Sequence, residues 1–305
     1  MIFKISKEIK FSHFYKKMNI LSLILIFLSL FIILFKGLNL GVDFKGGTLI
    51  EIRTDNSNIK ISEIRQSFLK MNLGDVTVKK FGKANDYLVK IEMTESNNEN
   101  FIKSINEKLS SDLGSDINFR RVENVGPKVS KELLKAGLLA ISLSLIAMLF
   151  YIWIRFEWQF SLGAIIALMH DVIITVGIFS FLSYEVNLSI VAAVLTIVGY
   201  SMNDTVVIFD RIRENLKKYS KIPISEISNT STNETLSRTL ITSVTTLLAL
   251  FSIYIFGGAI LKGFSFAMII GVIIGTYSSI FVATPILNYT NVSQKTVLKD
   301  NTENN

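Results

Sequence analysis

The segment Ile197–Arg213, I-V-G-Y-S-M-N-D-T-V-V-I-F-D-R-I-R, decides how this chain is read. It closes a long apolar run, yet Asn203 and Asp204 stand side by side several residues before the run ends. Even lenient insertion scales charge roughly 2.5–3.5 kcal/mol for Asp at the centre of a membrane helix, so an acid kept there points to function. The run reads as a membrane span, and Asp204 as its chemically interesting residue.

The rest of the chain agrees with a polytopic α-helical membrane protein. Half of its 305 residues are hydrophobic and fall in long blocks rather than short alternations. There is no Cys, which excludes disulfides and thiolate metal sites, and two His residues far apart in sequence cannot build a zinc centre. No G-x-x-x-x-G-K-[ST], H-E-x-x-H or G-x-S-x-G motif is present, so nothing suggests an ATPase, a zinc protease or a serine hydrolase. The reading is therefore not an enzyme, and no cofactor is expected. The net charge of +7 speaks to membrane orientation rather than to nucleic acid.

Residues 1–17 form a basic arm carrying Lys4, Lys7, Lys10, Lys16 and Lys17, and 18–35 is a first span too long for a signal-peptide core. The further spans are expected at 135–154, 160–182, 188–209, 238–256 and 264–287, giving six transmembrane helices with a polar loop over 210–237 and a tail over 288–305. Residues 36–134 between the first two spans have the size and polarity of a folded domain. Within it, 47–54, 75–81, 87–93 and 117–122 read as strands, with 82–86 as a hairpin turn. Residues 62–71 read as a helix with Ile64, Phe68 and Met71 on one face, and Phe101, Ile102, Ile105 and Leu109 mark a second. The order β-α-β-β-α-β is ferredoxin-like. Gly126-Pro127 closes the domain, with Pro127 placed to start the next helix.

Orientation follows from Lys and Arg in the short connections. The arm, Arg155, the 210–238 stretch and the tail carry nearly all of them, and Lys262 stands alone on the opposite side. Both termini are accordingly expected in the cytoplasm, with 36–134 extracytoplasmic.

Helix four then runs inward and places Asp204 roughly 8 Å from its cytoplasmic end. Arg238 enters on helix five from that same end, so an ion pair between them is geometrically reasonable. Burial and a guanidinium pull such a carboxyl's proton affinity in opposite senses, which suits a group that loads and releases a proton. Asn203 either orients Asp204 or bridges helices. His170 and Asp171, near the middle of helix three, either extend the relay or make a satisfied contact between helices. Thr239, Thr242, Ser243, Thr245 and Thr246 either line a wet path or bond their own backbone. Gly271 and Gly275 give G-x-x-x-G, a sign of close helix contact within the chain or with a partner. The 210–237 loop either is solvated or meets anionic lipid headgroups or a partner.

Several motifs together carry a family resemblance: G-V-D-F-K-G-G (41–47), V-G-P-K-V-S-K-E-L (125–133), A-L-M-H-D-V-I-I-T (167–175), Ile197 to Asn215, and T-L-S-R-T-L-I-T-S (235–243). They span nearly the whole chain, and it resembles the SecF branch of the SecD/SecF family, accessory subunits of the bacterial Sec translocase. The family motif falls on Gly41, Asp43, Phe44, Gly46, Gly47, Gly126 and Pro127. The resemblance implies a six-helix half of an RND-type bundle, completed by SecD, in the bacterial cytoplasmic (inner) membrane. It further implies work beside the SecYEG translocon on a translocating unfolded polypeptide, driven by the proton-motive force with protons as coupling ion. Asp204 matches the family's helix-four proton-path acid and Arg238 its helix-five Arg. Two other readings stand beside this one. An RND-like proton-coupled small-molecule exporter is disfavoured by the single set of six helices; a structural subunit would use its acids only to pack helices.

Overall fold

The structure is a computed structural model that describes residues 8–55, 59–80, 85–92, 99–219 and 221–298. Its first half holds α1 (Tyr15–Lys36), β1 (Asn39–Leu40), α2 (Val42–Lys45), β2 (Gly47–Thr54), α3 (Ile61–Lys70), β3 (Val76–Lys80), β4 (Asp86–Ile91), α4 (Glu99–Leu113) and β5 (Ile117–Val125). Then come α5 (Pro127–Arg155), α6 (Trp158–Leu182), β6 (Glu185–Val186), α7 (Leu188–Lys218), α8 (Ile224–Phe256) and α9 (Gly258–Ser278). A π turn (Ser279–Ala283) leads into α10 (Thr284–Tyr289), and α11 (Gln294–Leu298) follows. Two units form: Leu40–Leu138 with Glu185–Leu188, and Met1–Asn39 with Leu139–Tyr184 and Ser189–Asn305.

The smaller unit has the β-α-β-β-α-β order, with all strand pairs antiparallel in the sequence β3-β4-β2-β5. Alternation drives it. Ile50, Ile52, Val89, Ile91, Val76 and Val78 lie in one buried cluster with Ile64 and Phe68 of α3 and Ile105 and Leu109 of α4. Each such buried side chain contributes about 1.5–3 kcal/mol. The other parity of β2 carries Glu51 and Arg53, and Arg53 donates twice to Asp86, at 2.6 and 2.7 Å. The register shifts between Glu51 and Ile52, where β5 bulges. The turn expected over 82–86 falls mostly outside the described residues, as do Phe81, Met93, the first seven residues with Lys4 and Lys7, and the tail beyond 298 with Lys299.

Among the described residues six stretches are long and apolar enough to cross a membrane: α1, α5, α6, α7, α8 and Ile260–Tyr289. The third, fourth and sixth are half or more buried, whereas α1, α5 and α8 present most of their surface outward. Close approach rests on small residues. A Cβ on Gly177 of α6 would sit 2.4 Å from that of Ser29 on α1, and one on Gly271 of α9 would sit 2.3 Å from Cγ1 of Ile197 on α7. The G-x-x-x-G of the sixth span thus packs inside the chain, against α7. The π turn precedes Pro285, which has no N–H for the preceding turn; the Thr284 hydroxyl donates instead to the Ser279 carbonyl at 2.8 Å.

The helices run beyond the stretches that hydropathy marks. The 210–237 segment, read as a polar loop, is largely helical: α7 ends at Lys218 and α8 begins at Ile224. Polar side chains stitch these extensions together. Arg211 Nε donates to Glu234 Oε2 at 2.6 Å, and Asn215 Nδ2 donates to Ser231 Oγ at 2.9 Å and to Glu234 Oε2 at 2.8 Å. The basic arm is fastened to α8 as well. Asn229 Oδ1 accepts from the Ser12 N–H at 2.8 Å, and Asn233 exchanges hydrogen bonds with the Ile9 backbone.

Candidate functional site

Asp204 sits on the inward face of α7, only 2% exposed, and its Oδ2 has no hydrogen-bond partner. The Thr276 hydroxyl of α9 lies beside this carboxyl, and Thr276 in turn meets Ser243 of α8 at 2.8 Å. Three helices therefore converge on one carboxylate. An ionised acid in this position lacks the donors that buried charge demands, whereas the neutral acid leaves far less unsatisfied.

Arg238 is on α8, exposed, and its charge acts on Asp204 without an ion pair of 4.0 Å or less. Asn203 is exposed on α7 and forms no hydrogen bond to Asp204 or to another described helix. Adjacent residues on a helix point about 100° apart, so sequence adjacency to Asp204 does not bring the two side chains together.

The hydroxyls of α8 differ in their partners. Thr242 donates to the Thr239 and Arg238 carbonyls at 2.9 and 3.1 Å, and Thr245 to the Ile241 carbonyl at 2.8 Å, so both bond their own helix. Ser243 reaches Thr276, Thr246 accepts from the Tyr200 hydroxyl at 3.3 Å, and the buried Thr239 hydroxyl has no partner.

The denser polar centre is at Asp171, which is fully buried. Its Oδ2 accepts from Ser201 of α7 at 2.6 Å and from Ser278 of α9 at 2.9 Å, and its Oδ1 lies 2.9 Å from Nδ1 of His170. The Thr205 and Ser279 hydroxyls pair at 2.9 Å in the next layer. The His170 ring stacks on Tyr277, and its buried Nε2 has no partner. Tyr277 donates to the Met18 carbonyl at 2.8 Å and so accepts from Ser22 at 2.9 Å, which carries the contact to α1. Ser201 and Asp204 are three residues apart on α7, hence on one face. The hydroxyls of Ser201 and Ser278 were not legible as partners of Asp171 from spacing.

The motif residues of the smaller unit serve geometry. The Gly41 N–H donates to the Val186 carbonyl at 2.8 Å, and a Cβ there would lie 2.7 Å from Oε1 of Glu185. Asp43 Oδ2 accepts from the Leu188 N–H at 2.9 Å, at the first residue of α7, where an anion meets the helix dipole favourably. Phe44 is buried. Gly46 and Gly47 have φ of 80° and 115°, and a Cβ on Gly47 would be 2.5 Å from the Ile91 carbonyl oxygen. Gly126 offers its carbonyl to the Ser130 N–H at 2.9 Å, and Pro127 opens α5. Among the described residues no group of three or more His, Cys, Asp or Glu is placed to hold a metal.

Comparison with known proteins adds to this geometry. Residues 105–293 match the family described as protein export membrane protein SecD/SecF, C-terminal, and residues 31–57 match the SecD/SecF GG motif. The chain is 45% identical over 284 residues to the protein translocase subunit SecF of Vibrio alginolyticus, covering 93% of this chain and 90% of that protein. It is 44% identical to that of Rickettsia bellii, over 92% of both chains. The crystal structure of SecDF, a translocon-associated membrane protein from Thermus thermophilus, superposes with a TM-score of 0.87 at 31% identity. That match covers 96% of this chain and 40% of the SecDF chain.

Proposed function

The chain belongs to the SecD/SecF family of protein-export membrane proteins, among its SecF translocase subunits, and from that premise we propose that it couples proton movement to export through Asp204. The observation that carries the reading is the buried Asp204 carboxyl with an oxygen that has no hydrogen-bond partner, set between α7, α8 and α9. Proton gain and loss there changes its pairing with Thr276 and its attraction to Arg238, and so biases the packing of α7 against α8 and α9. Moving one charge through about 100 mV supplies roughly 2.3 kcal/mol, enough to tilt an equilibrium between two helix arrangements.

In this proposal the chain is one half of an RND-type bundle with SecD as the other, working beside the SecYEG translocon. The smaller unit lies outside the cytoplasmic membrane, both termini lie inside, and the unit holds and releases a translocating unfolded polypeptide. That the SecDF chain contains this whole fold within 40% of its length supports an intimate association with SecD. His170 and Asp171 extend the relay toward α6 in the same proposal.

The experiment is Asp204→Asn in cells lacking the native copy. Loss of the proton-motive-force component of secretion, with the protein still inserted and still recovered with SecD, is the expected result. Secretion at the unaltered rate and with the unaltered dependence on that force refutes the coupling role.

A further inference from the structure

At the turn between α5 and α6 the helical unit carries an open cavity of about 1010 Å³. Both tryptophans of the chain, Trp153 and Trp158, line it, each 58% exposed, beside the outward-facing Ile154. Tryptophans at the ends of apolar spans occupy the headgroup level of a bilayer. The cavity is also basic. The guanidinium of Arg155 lies 4.9 Å from the centroid of the buried Phe156 ring, and that of Arg213 lies 5.9 Å from it. Acids offset both: Arg155 meets Asp210 at 2.8 Å, and Arg213 meets Glu157 at 3.2 Å. The third cation, Lys295 of α11, is exposed at the rim, and no described acid lies within 4.0 Å of it. Among the described residues the surroundings thus carry one positive charge in excess, between an apolar wall and the interfacial tryptophans.

We propose that this cavity binds the phosphate of a phospholipid headgroup, with Lys295 as the charge that fixes it. A phosphodiester carries one negative charge, which matches the excess positive charge among the described residues, and its oxygens accept from Lys295 Nζ and from the outer edge of Arg155. The glycerol and upper acyl carbons then lie along Trp153, Ile154 and Trp158. A solution anion lacks this second, apolar half of the contact. A phosphate-free glycolipid lacks the first.

Because both tryptophans line the cavity, their fluorescence reports the site. The full chain is purified in phosphate-free maltoside micelles and titrated with phosphatidylethanolamine, phosphatidylglycerol or galactosyl diacylglycerol, each brominated on the acyl chains. Both phospholipids are expected to quench at a mole fraction about tenfold below that of the glycolipid, the worth of one charge-assisted hydrogen bond. Lys295→Ala erases that difference and Lys295→Arg preserves it, while the melting temperature of each variant stays at the parent value because the side chain is exposed and has no acid partner among the described residues. Equal quenching by all three lipids means apolar contact alone and overturns the proposal. So does displacement of the lipid by millimolar inorganic phosphate, or an unchanged preference in Lys295→Ala.

Discussion

The Ser201 hydroxyl of α7 lies 2.6 Å from Oδ2 of Asp171 on α6, and this bond joins two spans deep in the bundle. Ser278 of α9 donates to the same oxygen at 2.9 Å, so one carboxylate holds three helices. Interhelical hydrogen bonds inside membranes average about 0.6 kcal/mol and reach about 1.7. Ser201→Ala is expected to destabilise the purified chain by about 0.5–2 kcal/mol. Because the two serines share an acceptor, the double variant with Ser278→Ala should depart from the sum of the single effects. Reversible unfolding in mixed micelles measures both quantities, and strict additivity would mean that the two hydroxyls do not act on one group.

Glycine at 177 and glycine at 199 should behave oppositely. A Cβ on Gly177 meets Ser29 side-chain and backbone atoms at 2.4–2.9 Å, whereas one on Gly199 meets nothing within 4 Å. Gly177→Ala is therefore expected to cost about 1–3 kcal/mol through overpacking of α1 on α6. Gly199→Ala relieves the entropic weakness of glycine in a helix and is expected to stabilise the chain by up to about 1 kcal/mol. Melting curves of the two single variants separate them, and a drop in melting temperature for Gly199→Ala would contradict an open site.

Much of this fold was written in the sequence. The smaller unit was readable because strand and helix leave different periods: Ile50 and Ile52 alternate, Ile64 and Phe68 recur at helical spacing, and all four are buried in one cluster. The extension of α7 to Lys218 and the start of α8 at Ile224 were not readable, because the bonds of Arg211 and Asn215 to Glu234 supply the stability of a stretch whose polarity looks like a loop. Asp204 was expected close to the end of its helix, yet α7 runs on to Lys218, and the partners of Asp171 were not readable at all. Ser201 and Ser278 stand 30 and 107 residues from it, and nothing in a run of hydroxyls says which of them meets an acid. Asn203 drew notice only as a neighbour in sequence, and helical geometry turns it away.

The contact of Asp43 with the first amide of α7 supports a local test. The carboxylate accepts from the Leu188 N–H at 2.9 Å. Removing a capping carboxylate costs about 0.5–2 kcal/mol, and most of that should appear as local opening rather than global unfolding. Asp43→Ala is thus expected to speed hydrogen exchange of the amides at 188–190 by about threefold to thirtyfold, with the middle of α7 unchanged. Asp43→Asn, which keeps an acceptor but not the charge, should fall between. Unaltered exchange at Leu188 in Asp43→Ala would remove the cap from the account.

Lys90 gives the smaller unit a pH dependence. Burial pushes its ammonium below the ordinary lysine value, with Lys45 and Lys79 acting in the same direction and Glu185 and Asp43 opposing; its Nζ donates to the Leu40 carbonyl at 2.8 Å. In the unfolded chain the group regains the ordinary value of 10.5. Between the depressed folded value and 10.5 the unfolded chain binds more protons, so stability rises with pH through that window. Below the window both states are protonated and the penalty is present in full; above it the penalty is gone. A ¹⁵N titration of the lysine Nζ resonances should show one midpoint below the rest, assigned by its absence in Lys90→Met. That variant should lose the rise in stability on the alkaline side while keeping its packing, since methionine matches the buried stem of lysine. A Lys90 midpoint that coincides with those of the exposed lysines would show that the β4 side chain stays in water.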